Sequence, residues 1–144
     1  GFLGHYYISP WCNLGADTNN SDLKNNYGNI KVIINGKQVD SGKMFVGLTM
    51  GDHSKTSINT MFNTGTVCGV ASNVFGSGFP PKYIPSFAWG GADSMTTYNL
   101  NNGIEVAKKV MARRKIEFTE ADKNLLSKVF ELTKNERIEN RIPD

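Results

Sequence analysis

Long apolar runs, cysteine, histidine and charge are all scarce in this chain, and each shortage excludes something. No stretch of about 18 apolar residues occurs, so no membrane-spanning helix is expected. The 144 residues hold two cysteines, Cys12 and Cys68, too few for a disulfide-built scaffold. They hold two histidines, His5 and His53. A zinc site needing about three imidazole ligands would therefore have to be shared between subunits. Charged residues make up 20% of the chain and the net charge is +3, which is only mildly basic. The one dense basic run is Lys108, Lys109, Arg113, Arg114 and Lys115. No aromatic residues interleave with it, so it reads as a solvated helix face rather than a nucleic-acid surface. No secretory leader pattern is visible. A cytoplasmic protein that meets neither membrane nor nucleic acid is expected. An initiator Met is also missing: Gly1 opens in mid-pattern with Phe2-Leu3-Gly4, as expected of a piece of a longer protein.

What the chain does have is a six-residue rhythm between Val46 and Val74. The first slots are Val46, Asp52, Ile58, Thr64 and Val70, and the fifth slots are Met50, Thr56, Phe62, Cys68 and Val74. Val46, Ile58 and Val70 fit an aliphatic first slot, and Thr56, Cys68 and Val74 fit a small fifth slot. The pattern returns upstream, with Ile8 and Leu14 aliphatic and Cys12 and Thr18 small. A period of six fits neither an amphipathic helix nor an alternating strand. It predicts a mainly β chain wound as a left-handed parallel β-helix over residues 1–90, with about three hexads per turn. Both cysteines fall in the small slot, which assigns them to packing rather than to a disulfide or to catalysis.

Other segments break the rhythm. Residues 20–28 are polar and Asn-rich, as in a loop. Asp17, Asn19 and Ser21 resemble the start of a calcium loop, but Asp22 and Gly28 stand where glycine and glutamate are required. Asn35-Gly36 between apolar β-formers predicts a two-residue hairpin turn, inserted at 29–42. The Gly-, Pro- and aromatic-rich stretch 76–91 predicts the end of the prism, covered by Phe79, Tyr83, Phe87 and Trp89. A helical extension is expected over 91–144. Ile104, Ala107, Val110 and Met111 share one helical face. Leu125, Leu126, Val129 and Phe130 make the apolar stripe of a second helix, opened by a Thr119–Asp122 capping box.

Asn13-Leu14-Gly15-Ala16-Asp17-Thr18, Asn26-Tyr27-Gly28, the hairpin with Gly36-Lys37 and Asp40-Ser41-Gly42, and Gly51 through Asn59 carry a family resemblance. Over roughly residues 1–78 the chain resembles the C-terminal domain of sugar-1-phosphate nucleotidylyltransferases. Its pattern is similar to that of bifunctional enzymes of the N-acetylglucosamine-1-phosphate uridylyltransferase/glucosamine-1-phosphate acetyltransferase kind. The resemblance implies a homotrimeric acyltransferase-like domain that takes acetyl-CoA as acyl donor and an amino sugar phosphate as acceptor. It implies Phe2, Asn13, Asn26 and Tyr27 at the substrate and Ala16 at the cofactor. The nucleotidyl-transfer domain, with its Mg²⁺, would lie outside this chain. The family's general base would fall upstream of Gly1. Phe2 stands where the family has a tyrosine, and Leu48 where acetylating members have a serine.

His53 is then the remaining candidate base, with Asp52 and Lys55 beside it. A structural or subunit-contact role is the blander reading of the same residue. His5, beside Tyr6 and Tyr7, reads as a surface histidine. Two functions stay open: an acyltransferase acting on an amino sugar phosphate, and a non-catalytic module that trimerises or regulates the parent enzyme.

Overall fold

A computed structural model describes residues 1–144. Its strands are short and lie apart in sequence. The first are β1 (Tyr7–Ile8) and β2 (Asn19–Asn20), followed by the hairpin strands β3 (Lys31–Ile34) and β4 (Lys37–Asp40). Five two-residue strands come next: β5 (Thr49–Met50), β6 (Lys55–Thr56), β7 (Met61–Phe62), β8 (Val67–Cys68) and β9 (Asn73–Val74). Then follow β10 (Tyr83–Ile84), β11 (Ala88–Gly90) and β12 (Met95–Thr97). The helices are α1 (Leu100–Arg113), α2 (Glu120–Leu132) and α3 (Lys134–Glu139). No helix is long and apolar enough to cross a membrane.

The left-handed β-helix expected over 1–90 is corrected by this arrangement. The twelve strands fall into four separate small sheets, of order β1-β5-β8-β10, β12-β11-β9-β6, β2-β7 and β3-β4. None closes and none forms a solenoid sheet. Two of the sheets contain antiparallel pairs, β11 with β12 and β3 with β4. The chain is also not mainly β, since the three helices hold 14, 13 and 6 residues against strands of two to four. The physical reason is the brevity of the ladders. Residues in the left-handed backbone region (Trp11, Asp17, His53, Asn59, Ala71 and Phe87) turn the chain after every few positions and cut each strand short.

The hexad rhythm does set the pairing register. Thr49 pairs in parallel with Val67, and Lys55 with Asn73, eighteen residues on in each case. Hexad positions three and five face inward: Leu48, Met50, Ser54, Phe62, Thr66, Cys68, Ser72 and Val74 are all at most 2% exposed. First positions are mixed: Ile58 lies at a turn and is 64% exposed, whereas Thr64 is 4% exposed. Buried hydroxyls in this interior are satisfied. Ser54 Oγ donates to Gly69 O at 2.6 Å, and Ser72 Oγ donates to Pro85 O at 2.6 Å. Cys12 and Cys68 carry free thiols. Cys68 sits in the core, where burial pushes its thiol up to about 12.

The stretch expected to end the stack instead extends it. Tyr83 pairs with Val67 and Trp89 with Asn73, both in parallel. Pro80, Pro81 and Pro85 fall outside the paired residues, so no ladder donor is lost. β12, beyond residue 90, then adds to β11 antiparallel. Asn35 and Gly36 both have positive φ, 50° and 77°, as the two-residue turn between β3 and β4 requires.

The helices cover one column of turns. Phe87 and Ala71 form a second apolar cluster with Ile104, Ala107 and Leu126. The chain end returns to the strands: Ile142 belongs to their core, and Thr97 N donates to Pro143 O at 2.8 Å.

Candidate functional site

Four residues with left-handed backbone stack in that column: Trp11 (φ 66°), His53 (φ 63°), Ala71 (φ 54°) and Phe87 (φ 59°). Backbone bonds tie them together. His53 N donates to Pro10 O at 3.1 Å, Ala71 N to Asp52 O at 2.9 Å and Phe87 N to Val70 O at 2.9 Å. No glycine occupies these four positions, so each holds a conformation that its side chain disfavours, and neighbouring passes of the chain must hold it there.

α2 lies over the upper part of the column and leaves a cleft of about 240 Å³. Its walls are Trp11, Asp52, His53 and Val70 on one side and Asp122, Leu125, Leu126 and Val129 on the other. His53 is 9% exposed, and its ring stacks on Trp11 at 6.3 Å and 13°. Its Nδ1 is sealed from solvent and has no hydrogen-bond partner. Burial holds the imidazole below its ordinary pKa, with Lys55 adding to the effect and Asp52 and Asp122 opposing it. The ring is therefore neutral at pH 7 and able to accept a proton. Lys55 Nζ donates to His53 O at 2.9 Å, and burial lowers its own pKa. The Asp122 carboxylate also caps α2, with Oδ2 accepting from Thr119 N at 2.8 Å. The cleft thus sets one neutral base among two carboxylates and an apolar wall. Such a pocket suits a small cationic or amine-bearing group.

The other expected site residues do not gather here. Phe2 is 58% exposed and lines a separate recess with Asn19, Asn20, Met61 and Phe79. Asn13 is exposed and forms a bridge with Lys55, two residues beyond Trp11 and His53, and does not line the cleft. Ala16 is exposed, and its carbonyl accepts from Asn59 N at 2.8 Å. Asn26 spends its Oδ1 on Gly28 N at 2.9 Å in an exposed turn, and Tyr27 beside it is 69% exposed. Leu48 lies in the core at 0% exposure. His5 Nδ1 lies 2.9 Å from Asp22 Oδ2 on the surface.

Trp11 and Asp122 had no functional signal in the sequence. Trp11 falls between the first and fifth slots of its hexad and Asp122 reads as a cap, and only the packing of α2 brings Asp122 to His53 and Trp11. No group of three or more His, Cys, Asp or Glu side chains is placed to hold a metal ion. No family model and no curated protein matches the chain.

Proposed function

We propose that this chain is the acyltransferase-like part of a sugar-1-phosphate nucleotidylyltransferase. On this reading it works in the cytoplasm as a homotrimer and moves an acetyl group from acetyl-CoA to an amino sugar 1-phosphate. The observation that carries the proposal is His53, a buried, neutral imidazole beside Asp52 and Asp122 in the cleft under α2. The carboxylates attract the acceptor's ammonium, which gives up one proton to water so that the free amine is the species that attacks. As the amine nitrogen attacks the thioester carbon, the C–N bond forms and the C–S bond breaks. The imidazole takes the amine proton through Nε2, the nitrogen that is not sealed, and returns it to the departing thiolate.

The dispersal of Phe2, Asn26 and Tyr27 favours a second reading, a non-catalytic module that trimerises or regulates the parent enzyme. One experiment separates the two. Full-length protein is given acetyl-CoA with glucosamine 1-phosphate or galactosamine 1-phosphate, and free CoA is followed by thiol reaction. Acyl transfer predicts acceptor-dependent release that falls at least about a hundredfold in His53→Gln. The same slow, acceptor-independent release from wild type and variant would leave the non-catalytic module.

A further inference from the structure

A second polar cavity opens where β12, the start of α1 and α3 meet. Its volume is about 440 Å³, and it shares no lining residue with the His53 cleft. At its inner wall stands Arg137, 2% exposed. Nη1 donates to Ser86 O at 3.2 Å and to Thr133 Oγ1 at 2.7 Å, and Nη2 donates to Phe130 O at 2.8 Å. The guanidinium also lies over the Phe130 ring, 4.4 Å from its centre. All of these partners are neutral. The chain's four ion pairs do not include Arg137. A guanidinium has five N–H donors, so donors remain after these three bonds. The carboxylates of Asp144 and Glu136 act on this charge only from beyond ion-pair range, and a buried cation with no contacting counter-ion rewards an anion that reaches it.

Two independent features of the same wall have the same preference. Thr97 Oγ1 is sealed from solvent and has no hydrogen-bond partner. Leu100 and Asn101 open the 14-residue helix α1 here, where backbone N–H groups present the positive end of the dipole. The Asn99 side chain already serves Asn102 N, at 3.0 Å, and leaves the first two helical residues free of it. Lys134 adds an exposed ammonium, against one carboxylate, that of Asp144.

We propose that this cavity binds a small molecule bearing an oxyanion, a phosphate monoester or a carboxylate. Arg137 is the buried anchor, Lys134 the outer cation, and Thr97 and the start of α1 the remaining donors. The volume exceeds what a bare ion fills, and Leu100 and Phe130 flank the room left for an organic body. The site stands apart from His53 and does not rest on the acyl-transfer reading.

The test is a titration of the isotope-labelled chain followed by amide NMR. The probes are inorganic phosphate, glucose 6-phosphate and succinate, with glucose as the neutral control. Saturable shifts at Thr97, Leu100 and Asn101 with an anion and none with glucose are expected. Phosphate against succinate then identifies the oxyanion. Arg137 also holds Ser86, Thr133 and Phe130 in place, so the decisive variants are Lys134→Glu, at an exposed position, and Thr97→Val. Each is expected to weaken binding about tenfold, the value of one charge-assisted or desolvated contact. The proposal is overturned if no anion gives saturable shifts, or if both variants bind like wild type.

Discussion

His53 has a backbone that an imidazole-bearing residue rarely adopts and a ring nitrogen that nothing satisfies. Both cost free energy, on the order of 1–3 kcal/mol each. Neighbours over-determine the position: Trp11 stacks on the ring, Pro10 O fixes the backbone N–H, and α2 closes over it. The depressed pKa has a signed consequence. Above the ordinary imidazole value of 6.5 the ring is neutral in both folded and unfolded chains. As pH falls below that value the unfolded chain takes a proton that the folded chain refuses, so stability is lost. Thermal melts between pH 7.5 and 5 are expected to show the midpoint falling in wild type. His53→Gln is expected to remove part of that slope. Equal slopes in the two proteins would mean that His53 titrates normally.

The short strands and the helices are held by different means. A two-residue strand has little ladder of its own, so its register comes from side chains at hexad positions three and five, which drop into a common interior. This much was legible in the fifth slot, where Met50, Thr56, Phe62, Cys68 and Val74 are all buried. The first slot misled, because Ile58 sits at a turn and its side chain faces solvent. The prolines near residue 80 also misled: they lie between paired residues rather than within them. Helix α2 carries its own start signal. Thr119 and Asp122 cap each other reciprocally, so Thr119→Ala is expected to cost about 1 kcal/mol. A urea melt of the variant reads this as a lower midpoint at unchanged slope. An unchanged midpoint would show that tertiary packing alone holds the end of α2. Leu126 and Val129 hold the rest of α2 through packing on the turn column, and no local signal in the sequence reports that contact.

At the scale of the whole molecule, strands and helices share their apolar interior. Phe87 meets Phe130 edge-on at 5.1 Å, and Ile142, near the chain end, is buried among the strands. These contacts couple the two regions, so one cooperative unfolding transition is expected. Tryptophan fluorescence reports Trp11 and Trp89 on the strand side, while far-ultraviolet circular dichroism reports the helices. The two melting curves should coincide. A helical transition at lower denaturant would show that the turn column folds without its cover. A double-mutant cycle on Phe87 and Phe130 should give a coupling of about 1 kcal/mol.

By itself the sequence determined the local features: the hairpin turn at Asn35-Gly36, the cap at Thr119, the inward fifth slot and the helical stripes, except at Leu125, which is 60% exposed rather than buried. Each depends on residues within a few positions of one another, where backbone preference and side-chain period decide the outcome. The tertiary structure alone decided that the strands separate into four small sheets and that 79–91 extends the stack. It alone brought Trp11, His53 and Asp122 to one cleft, and Thr97 and Arg137 to another. Those groupings join residues 40 to 111 positions apart in the chain. They arise from which turn stacks on which and where a helix lands, and no local periodicity encodes either.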